Sequence, residues 1–227
     1  MVGLRILATA IPLALLWACG GKSGSLGPTF NLAAAQEQAY TQTGTQSFVM
    51  SGTLSGLVIQ GSGTWTSGAV TTGTFEGQSA NQKTSTYTGN YFINGAGQTL
   101  SSQWVSWTDV NHLALGESTA SEYMVVNHAS AYPSSAHVGD SGLVFTGDIY
   151  DSSAKSTWLG TVTASYLVES DSAQGAWVSF IQTYRATSNV MIKSKTSRYR
   201  FTASNVFTRI QDTVVEYTID LNTSFTY

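Results

Sequence analysis

From Ser47 to the C-terminus the chain repeats with a period of two, and this excludes more architectures than any other feature. In Trp158-Gly160-Val162-Ala164-Tyr166-Val168, small or apolar residues alternate with Leu159, Thr161, Thr163, Ser165, Leu167 and Glu169. Val215, Tyr217, Ile219 and Leu221 alternate in the same way with Val214, Glu216, Thr218 and Asp220. Tyr123 with Val125, and Leu143 and Phe145 with Ile149, behave similarly. Successive side chains of a strand point to opposite faces, so the spacing predicts antiparallel strands with one buried face. Turn-forming residues punctuate the runs at Asn94-Gly95-Ala96-Gly97, Gly139-Asp140-Ser141-Gly142 and Asp151-Ser152-Ser153. Roughly ten to twelve short strands result, at meander spacing. With no long helical pattern between them, parallel βαβ architecture is excluded.

One helix is expected, over Asn31–Tyr40. Asn31 can cap it, the alanines favour it, and Leu32, Ala35 and Ala39 fall on one face. At that length it needs a tertiary partner and is expected to pack on the sheet or plug one end of it. The expected fold is therefore all-β, an antiparallel meander forming a strongly curved sheet, barrel or sandwich, with one short N-terminal helix. No composition break divides the rest, so residues 31–227 read as a single domain.

The chain is 42% hydrophobic and 11% aromatic, enough for a core, yet only 10% charged. Ser, Thr, Gly, Asn and Gln must therefore supply the surface polarity, as suits an extracytoplasmic β-protein. A formal charge of −3 offers no general pull on nucleic acid. The single cysteine, Cys19, excludes a disulfide framework and a cysteine metal site, leaving stability to packing.

Met1–Arg5 is short and basic, Ile6–Leu16 is apolar, and Trp17-Ala18-Cys19-Gly20-Gly21 follows. A basic start, a short apolar run and a small residue before the cut predict an export signal over residues 1–18. Eleven helical residues reach roughly 16 Å against about 30 Å of hydrocarbon, too short to span. Leu16-Trp17-Ala18-Cys19 resembles the bacterial lipobox. That resemblance implies lipidation of Cys19, more than one acyl chain, and hence stable anchoring. Residues 19–30 then read as the lipidated cysteine and a flexible Gly/Ser tether. Gly20 is not the Asp of inner-membrane retention, so the resemblance favours the outer membrane.

No residue cluster compels a particular chemistry, and no catalytic, metal or cofactor site is assigned. Gly139-Asp140-Ser141-Gly142 matches the nucleophile loop of trypsin-like proteases, with His137 just before it. It continues as Leu143-Val144-Phe145, and a turn opening a strand explains it more simply. His112, His128 and His137 lack ligand spacing. Asp109-Val110-Asn111-His112 and Asp148-Ile149-Tyr150-Asp151 look like calcium loops without the EF-hand glycine or terminal glutamate.

Six basic residues, Arg185, Lys193, Lys195, Arg198, Arg200 and Arg209, crowd a short stretch. Lys193 and Lys195 share one strand face, as do Arg198 and Arg200. Together these four are a candidate patch for an anionic surface, weighed against charges that merely protect a strand edge. Trp65, Trp104, Trp107, Trp158 and Trp177 are mostly core material by size. Trp104 and Trp107 should point to opposite faces.

With the lipobox, the Asn31–Tyr40 helix, Val138-Gly139-Asp140-Ser141-Gly142 and Lys155-Ser156-Thr157, the chain resembles small Ser/Thr/Gly-rich lipoproteins of proteobacteria. That group supplies no catalytic residues. The leading expectation is a non-enzymatic envelope protein that binds an apolar or amphipathic ligand or another envelope component. Glycan or peptidoglycan binding through exposed aromatics, and a hydrolase built on Ser141, are the alternatives.

Overall fold

The computed structural model describes residues 28–172, 175–202 and 207–227. The expected export signal, Cys19 and the expected tether up to residue 27 lie outside them. The domain begins at Phe30, which is 1% exposed and exchanges backbone hydrogen bonds with Ala136 (2.8 and 2.9 Å). Phe30 therefore belongs to the core, one residue inside the expected tether.

Helix α1 (Leu32–Thr41) forms where its propensities place it, and the Asn31 side chain accepts a hydrogen bond from the Ala34 amide at 3.0 Å. The strands follow in order: β1 (Gly44–Leu54), β2 (Leu57–Ser67), β3 (Thr71–Phe75), β4 (Gln78–Ile93), β5 (Ala96–Thr108), β6 (Ala114–Ser118) and β7 (Tyr123–Ala129). After them come β8 (Ser141–Tyr150), β9 (Trp158–Ser172), β10 (Gly175–Ala186), β11 (Met191–Thr202), β12 (Phe207–Glu216) and β13 (Leu221–Thr226). All pairings are antiparallel. Neighbours in sequence pair along the meander, β13 returns to β1, and β2 pairs with β4. The sheet thus closes on itself as a 12-strand antiparallel barrel, with β3 as an extra strand on β4. Of the sheet, barrel and sandwich that alternation permits, this is the barrel.

The closing seam explains itself in residue size. Gly63 of β2 faces Gly89 of β4, and a Cβ on Gly63 would stand 2.2 Å from the Thr88 carbonyl oxygen and 2.8 Å from the Phe48 ring. Only glycine lets the strands coil this tightly and leaves the Phe48 ring its place inside. The Asn94-Gly95 turn has positive φ at both residues (48° and 87°), the geometry of a tight hairpin matched to strand twist. The outer face carries paired hydroxyls, Thr45 with Thr66 and Thr64 with Thr88, each at 3.1 Å.

Helix α1 plugs one end. Leu32 and Ala35 sit with Phe30, Ala136, Val168, Val178, Phe201 and Phe207 in one buried cluster. Among the described residues, no helix is long and apolar enough to cross a membrane.

The alternation expected to run as one strand through Val215–Leu221 is broken by a turn. Tyr217-Thr218-Ile219-Asp220 is that turn, with Asp220 at φ 51°, and Tyr217 and Ile219 are about half exposed. Val214, opposite buried Thr223, faces the lumen in place of Val215, which stands opposite exposed Asn222. A turn whose residues alternate in polarity is indistinguishable from a strand by period alone.

Candidate functional site

Closing the sheet leaves space inside it. A cavity of about 520 Å³ occupies the hairpin end, walled by Met50, Leu54, Ile59, Ile93, Leu100 and Phe225. A second, of about 240 Å³, lies toward α1 and is far more polar, with Lys83, Ser85, Ser106, Ser165, Gln182 and Ser197 in its wall. Trp104, Glu117, Met124 and Lys195 line both, so the two chambers share a seam.

The polar groups between them are held by strand geometry. Arg209 and Asp212 both point inward and form an ion pair, with Arg209 Nε also donating to Asp212 Oδ1 at 3.3 Å. Residues three apart on a regular strand face opposite ways. Here the β11 register skips Ile210, a bulge that turns the later residues by one position. Tyr87 and Tyr227 both donate to Asp212 Oδ2, Tyr227 at 2.7 Å, and Arg209 donates to the Tyr87 oxygen at 3.1 Å. The guanidinium lies over the rings of Trp65 (4.4 Å) and Tyr227 (4.9 Å).

Burial works against ionisation of Asp212, but Arg209, with Lys195 and the two phenols, outweighs it and holds the carboxyl below its ordinary value. Burial above all pushes the Tyr87 and Tyr227 phenols far up, which keeps them neutral donors. The network is a saturated structural layer across the barrel.

Lys83 fixes the plug. It is 4% exposed, and its ammonium donates to the Ala39 (3.2 Å), Tyr40 and Gln42 (2.7 Å) carbonyls at the end of α1. Burial, with a smaller push from Arg209, brings its pKa down to about 8.

The four residues of the candidate anionic patch do not form one surface. Lys193 and Lys195 face the lumen, where Lys193 pairs with Glu122 at 2.8 Å and lies 4.3 Å above the Tyr184 ring. Arg198 and Arg200 face outward, Arg198 over Trp177 (4.5 Å) and within 3.9 Å of Glu169, Arg200 against Asp171 at 2.7 Å. Nor is β11 an edge, since β10 and β12 flank it.

Trp104 and Trp107 point to opposite faces. Trp104 packs on Tyr87 inside, whereas Trp107 joins Phe75 and Tyr123 in a separate cluster outside. Ser141 is exposed, and among the described residues no hydrogen bond joins it to an imidazole. His137 lies 3.7 Å from Asp140, His112 lies 3.9 Å from Glu37, and His128 meets Ser130 at 3.3 Å. Asp140 accepts the His137 amide at 2.8 Å, as a turn aspartate does. Among the described residues no group of three His, Cys, Asp or Glu could hold a metal ion, and no stacked ring pair joins two exposed aromatics. Sequence reasoning passed over Asp212, Glu117, Tyr87 and Tyr227. The available signal was a strand, Phe207–Glu216, with arginine and aspartate where apolar residues belong.

No protein-family model and no curated relative matches the chain. Among solved structures it is similar to a DUF1329 family protein from Desulfovibrio piger, at 12% identity and TM-score 0.37, covering 86% of this chain and 88% of that one. It is also similar to a candidate exported protein with YmcC-like fold from Bacteroides fragilis, at 12% identity and TM-score 0.35, covering 88% and 97%.

Proposed function

We propose that this chain is an envelope lipoprotein, anchored through Cys19, whose barrel receives an apolar or amphipathic ligand without transforming it. The observation that carries the reading is the apolar chamber of about 520 Å³ at the hairpin end. Its volume falls within the range of about 300–1,000 Å³ usual for small-ligand sites, and such sites are mostly apolar with a few placed polar groups. A protein that needed only a stable scaffold would gain by filling this space, since voids cost packing energy. The lipobox resemblance supports the address, and the polar outer face is compatible with a domain held in water beside a membrane.

Native mass spectrometry of the protein purified from its host's envelope tests the reading. Wild-type chain should carry an additional apolar compound, and Leu100→Trp, which fills the chamber, should not. Wild-type protein that emerges bare, with Leu100→Trp indistinguishable from it, overturns the proposal.

A further inference from the structure

The division of the lumen into an apolar and a polar chamber asks for a ligand with two ends. We infer that it takes a single-chain amphiphile with a carboxylate head, the tail in the apolar chamber and the head on Lys195 at the seam. This rests on the ligand-binding reading above and specifies the chemistry of the ligand.

The lumenal charges select the head. Four cations, Lys83, Lys193, Lys195 and Arg209, line the two chambers against three carboxylates, Glu117, Glu122 and Asp212, although the chain as a whole carries −3. Three of the cations are satisfied: Arg209 by Asp212, Lys193 by Glu122, and Lys83 by the carbonyls of α1. Lys195 is different. Among the described residues it has no carboxylate within 4.0 Å and no hydrogen-bond acceptor: it acts on Asp212 only through space, and its ammonium stands 5.4 Å over the Trp104 ring. A ring face attracts the charge but accepts none of the three N–H groups in the way an oxyanion does. Glu117 is the carboxylate on the same seam and opposes an anion there. Beyond the seam, buried Trp65 Nε1 lacks a partner in the wall of the polar chamber, which suits that chamber to a polar head and its water rather than to a tail.

Calorimetric titration decides it, on the full-length chain carrying Cys19→Ser so that no covalent acyl chain competes. The probes are palmitate, hexadecanol and hexadecylamine in detergent-free buffer. Palmitate should bind more tightly than hexadecanol by about tenfold to a hundredfold, the worth of a charge-assisted hydrogen bond. Lys195→Met should abolish that difference by weakening palmitate far more than hexadecanol, Lys195→Arg should keep it, and Glu117→Gln should tighten palmitate.

Hexadecanol or hexadecylamine binding as tightly as palmitate overturns the head-group assignment and leaves the ligand-binding reading intact. So does a Lys195→Met chain that holds palmitate like the wild type. If none of the three probes binds, and Leu100→Trp behaves as wild type, the ligand-binding reading fails as well.

Discussion

Arg209 and Asp212, three residues apart on β12, meet inside the barrel because the bulge at Ile210 turns both inward. The pair is nearly inaccessible, with side chains 9% and 1% exposed, and two phenols complete the coordination of the carboxylate. Breaking such a pair leaves a bare charge in a medium that cannot solvate it. Arg209→Met or Asp212→Asn should each lower stability by about 3–5 kcal/mol in urea titration. Replacing both with apolar residues should recover much of the loss, because no lone charge is left behind.

The same pair sets an acid limb. Asp212 titrates below its ordinary value in the folded state, so its contribution is complete above the unfolded pKa of about 3.9. It is lost as pH falls through the lower folded value. Unfolding midpoints followed from pH 6 to pH 2 should decline less steeply for Asp212→Asn than for the wild type.

Lys83 should act on the plug rather than on the barrel. Its three carbonyl acceptors all lie at the end of α1, so Lys83→Met should speed amide hydrogen exchange across Leu32–Thr41. Each carbonyl left bare costs about 1–3 kcal/mol, which sets the scale of the opening.

The pH dependence of Lys83 has the same sign as that of Asp212 but falls in an alkaline window. With its folded pKa brought down to about 8, the native state sheds the proton before the unfolded chain does at about 10.4. The unfolded state then binds more protons, so Lys83 makes stability rise with pH across that window. Wild type compared with Lys83→Met between pH 7 and pH 11 measures the slope.

Gly63 should tolerate no side chain. An added Cβ would meet the Thr88 carbonyl at 2.2 Å and the Phe48 ring at 2.8 Å, on the one seam that closes the barrel. Gly63→Ala should cost about 1–3 kcal/mol by overpacking, read from the thermal midpoint.

Cys19→Ser should release the chain from membranes and remove the thioether-linked mass, because its acyl chains are the expected anchor. Fractionation of the host's envelope, with mass spectrometry of the N-terminal peptide, reads both.

Local structure was legible wherever it depends on residues close in sequence. The Asn31 cap, the Asn94-Gly95 hairpin and the inward row Gly160-Val162-Ala164 of β9 all follow from near-neighbour geometry. Reading failed where parity breaks. At Val144 and at Ile210 a bulge shifts the register, so Val144 and Phe145 are both buried, and Arg209 shares the lumen with Asp212. A bulge is set by the partner strand, which a period along one strand does not contain.

The sequence by itself determined the strand-rich class, the antiparallel order, the helix and its cap, because each is written in spacing within a few residues. Closure of the barrel, the division of its lumen, and which face of β11 looks inward, the one with Lys193 and Lys195 or the one with Arg198 and Arg200, were decided in three dimensions. Gly63 and Gly89 are far apart in the chain and meaningless until they face each other. Lys195 stands out only once every neighbouring cation has been seen to find its partner.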